Sequence, residues 1–305
     1  MSDILCYLPT YSPTTEAIAP SRPYTRESNA DIAKRLRRQS RVKPAVYFDA
    51  IDSILNNPTP VRLVVADGRS TESMRAELAK HHREARVEAL EAQWHGHPDP
   101  GRYELMLYDG RESQWKLFND VYATAGLETE YFVYTSSDVV WTMDWVREAI
   151  KAFEADPKVQ ILFPCVNRGD PNLPCQIAAG PRDLDLVEPP FQRAARAPVL
   201  NAYAMIFRMS FLKEYGGYPT VWKNCFTESF LHYMAEAAGG KMRLMPRGHV
   251  YHFSALDAWN GDGGWYGYNG EKASFDKIMD EVLAKRAKGE MTVSFLKEIL
   301  MCGNR

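Results

Sequence analysis

Several features are scarce or missing in this chain, and each absence closes off a class of protein. No two of the five cysteines (Cys6, Cys165, Cys175, Cys225, Cys302) stand as Cys-x-x-Cys, which argues against paired zinc knuckles and dithiol redox motifs. The odd count, with no leader-like start, leads us to expect free thiols in a reducing cytoplasm. No apolar run approaches the ~20 residues of a membrane span, so any membrane contact is expected to be peripheral. No Gly-rich phosphate loop and no G-x-G-x-x-G turn follows a strand-like segment, which argues against kinase and dinucleotide chemistry. An excess of one charge is lacking too. Lys and Arg number 37 against 39 Asp and Glu, a net charge of −2, so no bulk field favours nucleic acid or membrane.

What is present is a 305-residue chain, 45% apolar, long enough to bury a sizeable core. Apolar strand-like runs alternate with helical patterns through the first half. Strands are expected at 4–8, 61–65, 103–108, 131–135 and 159–163. Helices are expected at 27–41, 44–55, 72–93, 114–125 and 141–153. Such alternation implies βαβ units and a mostly parallel, Rossmann-like central sheet flanked by helices. Residues 164–198 carry seven prolines and little periodicity, the pattern of a long loop-rich insertion. A strand at 199–207, a short helix ending at Gly216-Gly217, a helix at 228–238 and strands near 241–252 follow. The segment 259–270 reads as a Gly/aromatic loop before a charged C-terminal helix from about Glu271.

The most informative stretch is 131–145, YFVYTSSDVVWTMDW: a buried strand that stops on Thr135-Ser136-Ser137-Asp138. Open α/β sheets place ligands at the carboxyl ends of their strands, and an acid there can hold a hard cation that carries phosphates. The competing reading is a helix N-cap, a role that Ser136, Ser137 or Asp138 could fill. Asp67 before Gly68 is either a ligand-binding acid or a turn residue. Glu228 is either a base or a first-turn acid complementing the helix dipole. His252 on an alternating strand is either a ligand or a core histidine, with His249 as its competitor.

Taken in order, these motifs resemble the family 2 glycosyltransferases of the GT-A fold. Leu8-Pro9-Thr10-Tyr11 is similar to that family's opening strand and turn, and Ala50 to Leu55 followed by Val64 to Glu72 to its helix, strand and acidic turn. Lys116-Leu117-Phe118-Asn119 stands where the family carries an Asn-containing helix, and Ser136-Ser137-Asp138 stands at its Asp-x-Asp motif. Gly216-Gly217-Tyr218 with Thr227-Glu228 resembles its Gly-Gly-Phe and Glu-Asp elements, and His249 to His252 its late histidine strand. The chain departs from the pattern at Ser136, at Thr227, at Ala66 and at the inserted Arg69.

The resemblance implies a divergent, cytoplasmic transferase that moves sugar from a nucleotide-diphosphate donor, UDP-sugar first, to an acceptor hydroxyl with inversion. It implies donor contacts from Thr10, Tyr11, Asp67, Ser136, Ser137 and Asp138, a divalent metal (Mn2+ or Mg2+) on Asp138 and His252, and Glu228 as base. It also implies a catalytic domain over 1–255, divided at 163/164 into nucleotide-sugar and acceptor parts, with 256–305 as a loop and helical extension. Trp259 and Trp265, with Asp257 and Asp262, read as a lid over the site. The run Lys34, Arg35, Arg37, Arg38, Arg41 and Lys43 reads as a solvated face. Its sharper reading is an anionic acceptor, either a hydroxymethylated base in DNA or a membrane surface. The remaining rivals are a sugar-nucleotide-binding module without catalysis and a nucleotidyltransferase.

Overall fold

The computed structural model describes residues 4–10, 45–94, 103–110, 113–125, 128–166, 186–193, 195–222, 227–252 and 266–301. Ten strands occur among them: β1 (Ile4–Thr10), β2 (Arg62–Asp67), β3 (Tyr103–Leu107), β4 (Tyr131–Thr135), β5 (Val139–Trp141), β6 (Val159–Val166), β7 (Phe191–Gln192), β8 (Ala197–Pro198), β9 (Ala204–Arg208) and β10 (Lys241–His252). The helices are α1 (Ala45–Leu55), α2 (Glu72–Trp94), α3 (Gln114–Ala125), α4 (Trp145–Ala155), α5 (Met209–Tyr215), α6 (Glu228–Ala237), α7 (Tyr266–Ala287) and α8 (Val293–Leu300). None of these helices is long and apolar enough to cross a membrane.

Eight strands build one sheet in the order β3-β2-β1-β4-β9-β6-β10-β5, and β7 and β8 form a separate hairpin. β9 runs antiparallel to β4 and β6, and β5 antiparallel to β10; the other pairings are parallel. β1 and β4 are apolar along nearly their whole length because helices cover both faces of the sheet. Their side chains alternate between two cores. Leu5, Tyr7, Phe132 and Tyr134 pack with α3, α5, α6 and the C-terminal helices α7 and α8. Ile4, Cys6, Tyr131 and Val133 pack with α1, α2 and α4. Cys6 and Cys165 are buried and form no disulfide among the described residues, and burial pushes the Cys6 thiol well up.

The segment after Asp138 differs from its expected form. Val139–Trp141 is a strand, and the helix begins only at Trp145, where Asp144 caps it by accepting from the Arg147 N–H at 3.3 Å. Asp138 therefore lies in a strand-to-strand turn and is not a helix cap. The expected strand at 199–207 is confined to Ala204–Arg208, and the C-terminal helix starts at Tyr266, inside the expected loop.

The link from β4 to β5 also bends the sheet. Four spacings of about 4.8 Å separate β4 from β5 in the strand order, about 19 Å in a flat sheet. Thr135 to Val139 is four Cα steps, which reach about 14 Å at most. The sheet must curl, and β10 supplies a bend through the register shift between Met245 and His249. The curl brings the end of β10 over the end of β4.

Candidate active site

β1 and β4 are neighbours, yet the chain leaves β1 for β2 and β3 on one side before returning to β4 on the other. This is a topological switch point, and open α/β sheets place their ligand crevice at such a point, outside the carboxyl ends of the strands. Thr10, Asp67 and the 136–138 turn all lie at this end.

Thr10 and Asp67 are register partners at the ends of β1 and β2. Thr10 Oγ1 donates to Asp67 Oδ1 at 3.2 Å, and the Ser70 N–H donates to Oδ2 at 3.0 Å. Arg75 Nε stands 3.5 Å from the same Oδ2. Asp67 is fully enclosed with both oxygens engaged, so its carboxylate anchors its own turn. Arg69 in that turn holds a left-handed backbone at φ 71°, uncommon for a side chain of its size. Tyr11, the basic run at 34–43, and Asp257, Trp259, Asp262 and Trp265 lie outside the described residues.

Asp138 and His252 meet. His252 Nε2 is 3.1 Å from Asp138 Oδ2, and Ser136 Oγ donates to Asp138 Oδ1 at 2.7 Å. The two side chains are 13% and 12% exposed, which leaves a narrow approach to the pair. Burial raises the Asp138 carboxyl. The bonds from His252 and Ser136, with the His252 charge, outweigh it and hold the group below the usual carboxylate range. His252 is oriented by Tyr203, whose ring stacks on it at 4.0 Å, while the Tyr203 carbonyl accepts from the Ser136 N–H at 2.8 Å. His249, the competitor, instead contacts Thr142 Oγ1 through Nδ1 at 2.9 Å.

Tyr47 on α1 lies within electrostatic reach of both acids. Its hydroxyl hydrogen-bonds the Ser137 side chain, and burial, with the charges of Asp138 and Asp67, pushes its pKa up to about 12. Sequence reasoning missed both Tyr47 and Tyr203. Neither lies in a recognisable motif, and both reach the crevice only through tertiary packing.

Glu228 opens α6 on the other side of β4. Burial raises its carboxyl to about 7, opposed only by its own backbone hydrogen bond. Its charge is felt by the Tyr134 and Tyr218 phenols, and Tyr134 also feels Asp138. The Tyr134 hydroxyl donates to Gln114 Oε1 at 3.1 Å. The loop before α6 is pinned by Asn119. Its Nδ2 donates to the Tyr218 carbonyl at 2.8 Å, and its Oδ1 accepts from the Tyr218 N–H at 2.7 Å. Gly217 next to it has φ 123°, and a Cβ there would collide with the Asn119 amide.

Mostly parallel strands under two helical layers, with the switch-point crevice between β1 and β4, make this the GT-A fold. No family model and no curated protein matches the chain. Among solved structures it is similar to the mannosyltransferase PcManGT from Pyrobaculum calidifontis in complex with GDP-Man and Mn2+. That match has a TM-score of 0.52 and 17% identity over 85% of this chain and 59% of the other. It is also similar to GalNAc-T7 with UDP, GalNAc and Mn2+ (TM-score 0.51, 12% identity, 86% and 46% covered). S. aureus TarS matches with a TM-score of 0.50 and 13% identity, over 84% of this chain and 38% of that one. The chain thus spans less than two thirds of each of these longer proteins, and the likeness is one of fold.

Proposed function

We propose that this protein is a glycosyltransferase that moves a sugar from a nucleoside-diphosphate sugar to an acceptor hydroxyl, with inversion. The observation that carries the reading is a strand-end acid paired with an imidazole, Asp138 Oδ2 at 3.1 Å from His252 Nε2, together with a second acid, Glu228, at the start of α6, both charges reaching the Tyr134 phenol. Asp138 is held ionised, and Glu228 is held near neutral pH. Divergent settings of two carboxyls in one crevice are the mark of divided acid–base roles.

Asp138 and His252 would hold a divalent ion. The pair offers one carboxylate oxygen and one imidazole nitrogen, 3.1 Å apart, a donor set that such an ion would accept. Among the described residues no third His, Cys, Asp or Glu joins them, so donor oxygens and water would complete the shell. Such an ion neutralises the charge that builds on a departing diphosphate. Ser136 and Tyr203 keep the two protein donors oriented.

Glu228 takes the proton of the acceptor hydroxyl as that oxygen bonds to the anomeric carbon. The bond from that carbon to the diphosphate oxygen breaks, and the nucleoside diphosphate leaves. One direct displacement inverts the anomeric centre. A carboxyl raised to about 7 suits a base working near neutral pH. UDP-sugars are the first donors to test and GDP-sugars the second, at the Thr10–Asp67 end of the crevice.

The test is release of nucleoside diphosphate from UDP- and GDP-sugars with Mn2+ or Mg2+ and a panel of sugar acceptors. Metal-dependent release with a glycosylated product supports the reading, whereas pyrophosphate in its place indicates a nucleotidyltransferase. Ser136, standing where a second acid would strengthen the metal site, favours a second reading as a sugar-nucleotide-binding module. Metal-dependent donor binding without any turnover would identify that case. Hydroxymethylated DNA belongs in the acceptor panel because of the basic run at 34–43.

A further inference from the structure

The turn that carries Asp138 leads into β5, the last and shortest strand of the large sheet. β5 pairs with β10 along one edge, and its first residue, Val139, is the register partner of His252. Its other edge has no strand neighbour among the described residues. Helix α1 meets that edge instead. Ser53 Oγ accepts from the Trp141 N–H at 2.9 Å and donates to the Ala50 carbonyl at 2.8 Å. Ser53 and Trp141 are both fully enclosed, so water cannot stand in for the hydroxyl. The helix is itself held in place. Asp52, next to Ser53, meets His81 of α2 at 2.9 Å, and Asn57 just beyond α1 donates to Asp144 Oδ1 at 3.0 Å. The Trp141 indole ties the two ends of 135–141 together, its Nε1–H donating to Thr135 Oγ1 at 3.4 Å.

We infer that Ser53 is a positioning residue for the Asp138–His252 pair, acting on it through β5. The inference rests on the ion-binding role proposed above for that pair. A strand of three residues has few ladder bonds to hold it. Leaving the buried Trp141 N–H unmet costs about 1–3 kcal/mol, roughly what one or two such bonds contribute. Without the Ser53 hydroxyl, β5 frays from β10, and Val139 carries Asp138 away from His252. Ser136 and His252 bond Asp138 directly, whereas Ser53 fixes the strand on which they meet. Metal affinity is sensitive to support of this kind, and loss of an outer hydrogen-bond partner costs about 10–100-fold. A hydroxyl that served packing alone would lower the stability of the whole fold without singling out the turn.

Ser53→Ala tests this against Tyr215→Phe, which removes one buried hydrogen bond, to the Met234 carbonyl at 2.8 Å, in the opposite core. The first readout is hydrogen exchange of the 136–142 amides without ligand. They exchange about tenfold faster in Ser53→Ala and keep the rate of the unaltered protein in Tyr215→Phe. The second is a titration with Mn2+ in the presence of UDP, and then of GDP. Ser53→Ala weakens Mn2+ binding about tenfold, Tyr215→Phe by less than about twofold, and Ser53→Thr, which keeps the hydroxyl, retains it. Ser53→Cys, a weak acceptor of similar size, shows both shifts in smaller measure and replaces Ser53→Ala should that variant not fold. Unchanged exchange in the turn, or Mn2+ binding left intact by Ser53→Ala, overturns the positioning role alone. So does a loss of Mn2+ binding that is equal in Ser53→Ala and Tyr215→Phe. An unaltered protein that binds no Mn2+ with either nucleotide overturns the ion site and the positioning role together.

Discussion

The charges of Asp138 and Glu228 both reach the Tyr134 phenol, but the surroundings of the two acids differ in kind. Asp138 sits in a tight strand-to-strand turn, with Ser136 on one oxygen and His252 on the other. Glu228 sits at a helix start, where burial dominates and only its own backbone N–H opposes it. Hydrogen bonding therefore settles the charge of the first, and desolvation that of the second. The contrast teaches how one fold can hold one carboxyl ionised and another near neutrality by different means, which is what the proposed roles of ion ligand and base require.

The comparison can be broken most directly by exchanging the two acids for uncharged residues. Asp138→Ala and Glu228→Gln should each reduce transfer by about 10^3-fold. They part in binding: the first abolishes metal-dependent binding of the donor, and the second leaves it intact by calorimetry. If both variants lose donor binding equally, the division of roles between the acids is wrong.

The pH dependences should run in opposite senses. As a base, Glu228 must be deprotonated, so the transfer rate falls about tenfold per pH unit below about 7 and is flat above it. Its raised carboxyl contributes stability below its ordinary value of 4.5, and that stability is lost as pH rises through about 7. Denaturant unfolding of Glu228→Gln should show a gain on the order of 3 kcal/mol at pH 8 and none at pH 4. Asp138, held below the usual carboxylate range, contributes stability above that range and loses it as pH falls, so Asp138→Asn destabilises at neutral pH and loses that effect in acid. Equal pH slopes for the two variants would erase the contrast.

Smaller effects sharpen it further. His252→Ala should weaken Mn2+ binding by about tenfold in a titration while His249→Ala leaves it unmoved, since His249 bonds Thr142 and not Asp138. Asn119→Ala removes both bonds that pin Tyr218, and should cost about 1–3 kcal/mol in urea unfolding.

Much of the scaffold was legible because it rests on local pattern. Gln114–Ala125 and Tyr131–Thr135 have the bounds that their apolar spacing predicts, and Gly216-Gly217 ends α5 where the left-handed backbone needs glycine. The segment after Asp138 was not legible. Trp141, Trp145, Val146, Ala149 and Phe153 repeat at helical spacing, so the pattern extends the helix backwards over residues that pair with β10. That pairing joins Val139 to His252, far along the chain, and no local preference encodes it. The acids at strand ends could be named from the sequence, but which imidazole meets Asp138 could not.

The curl forced by the short link between β4 and β5 has a kinetic consequence. Asp138 and His252 are 114 residues apart and touch only when β10 closes over the end of β4. Contacts between such distant residues carry a loop-closure cost that intermediate states do not recover. A chain with β1 to β4 already ordered would still lack the Asp138–His252 pair. If that pair holds the proposed ion, the three-residue turn that carries the acid makes ion capture a signal that the whole sheet has closed, and a partly folded chain would be blind to donor and metal alike.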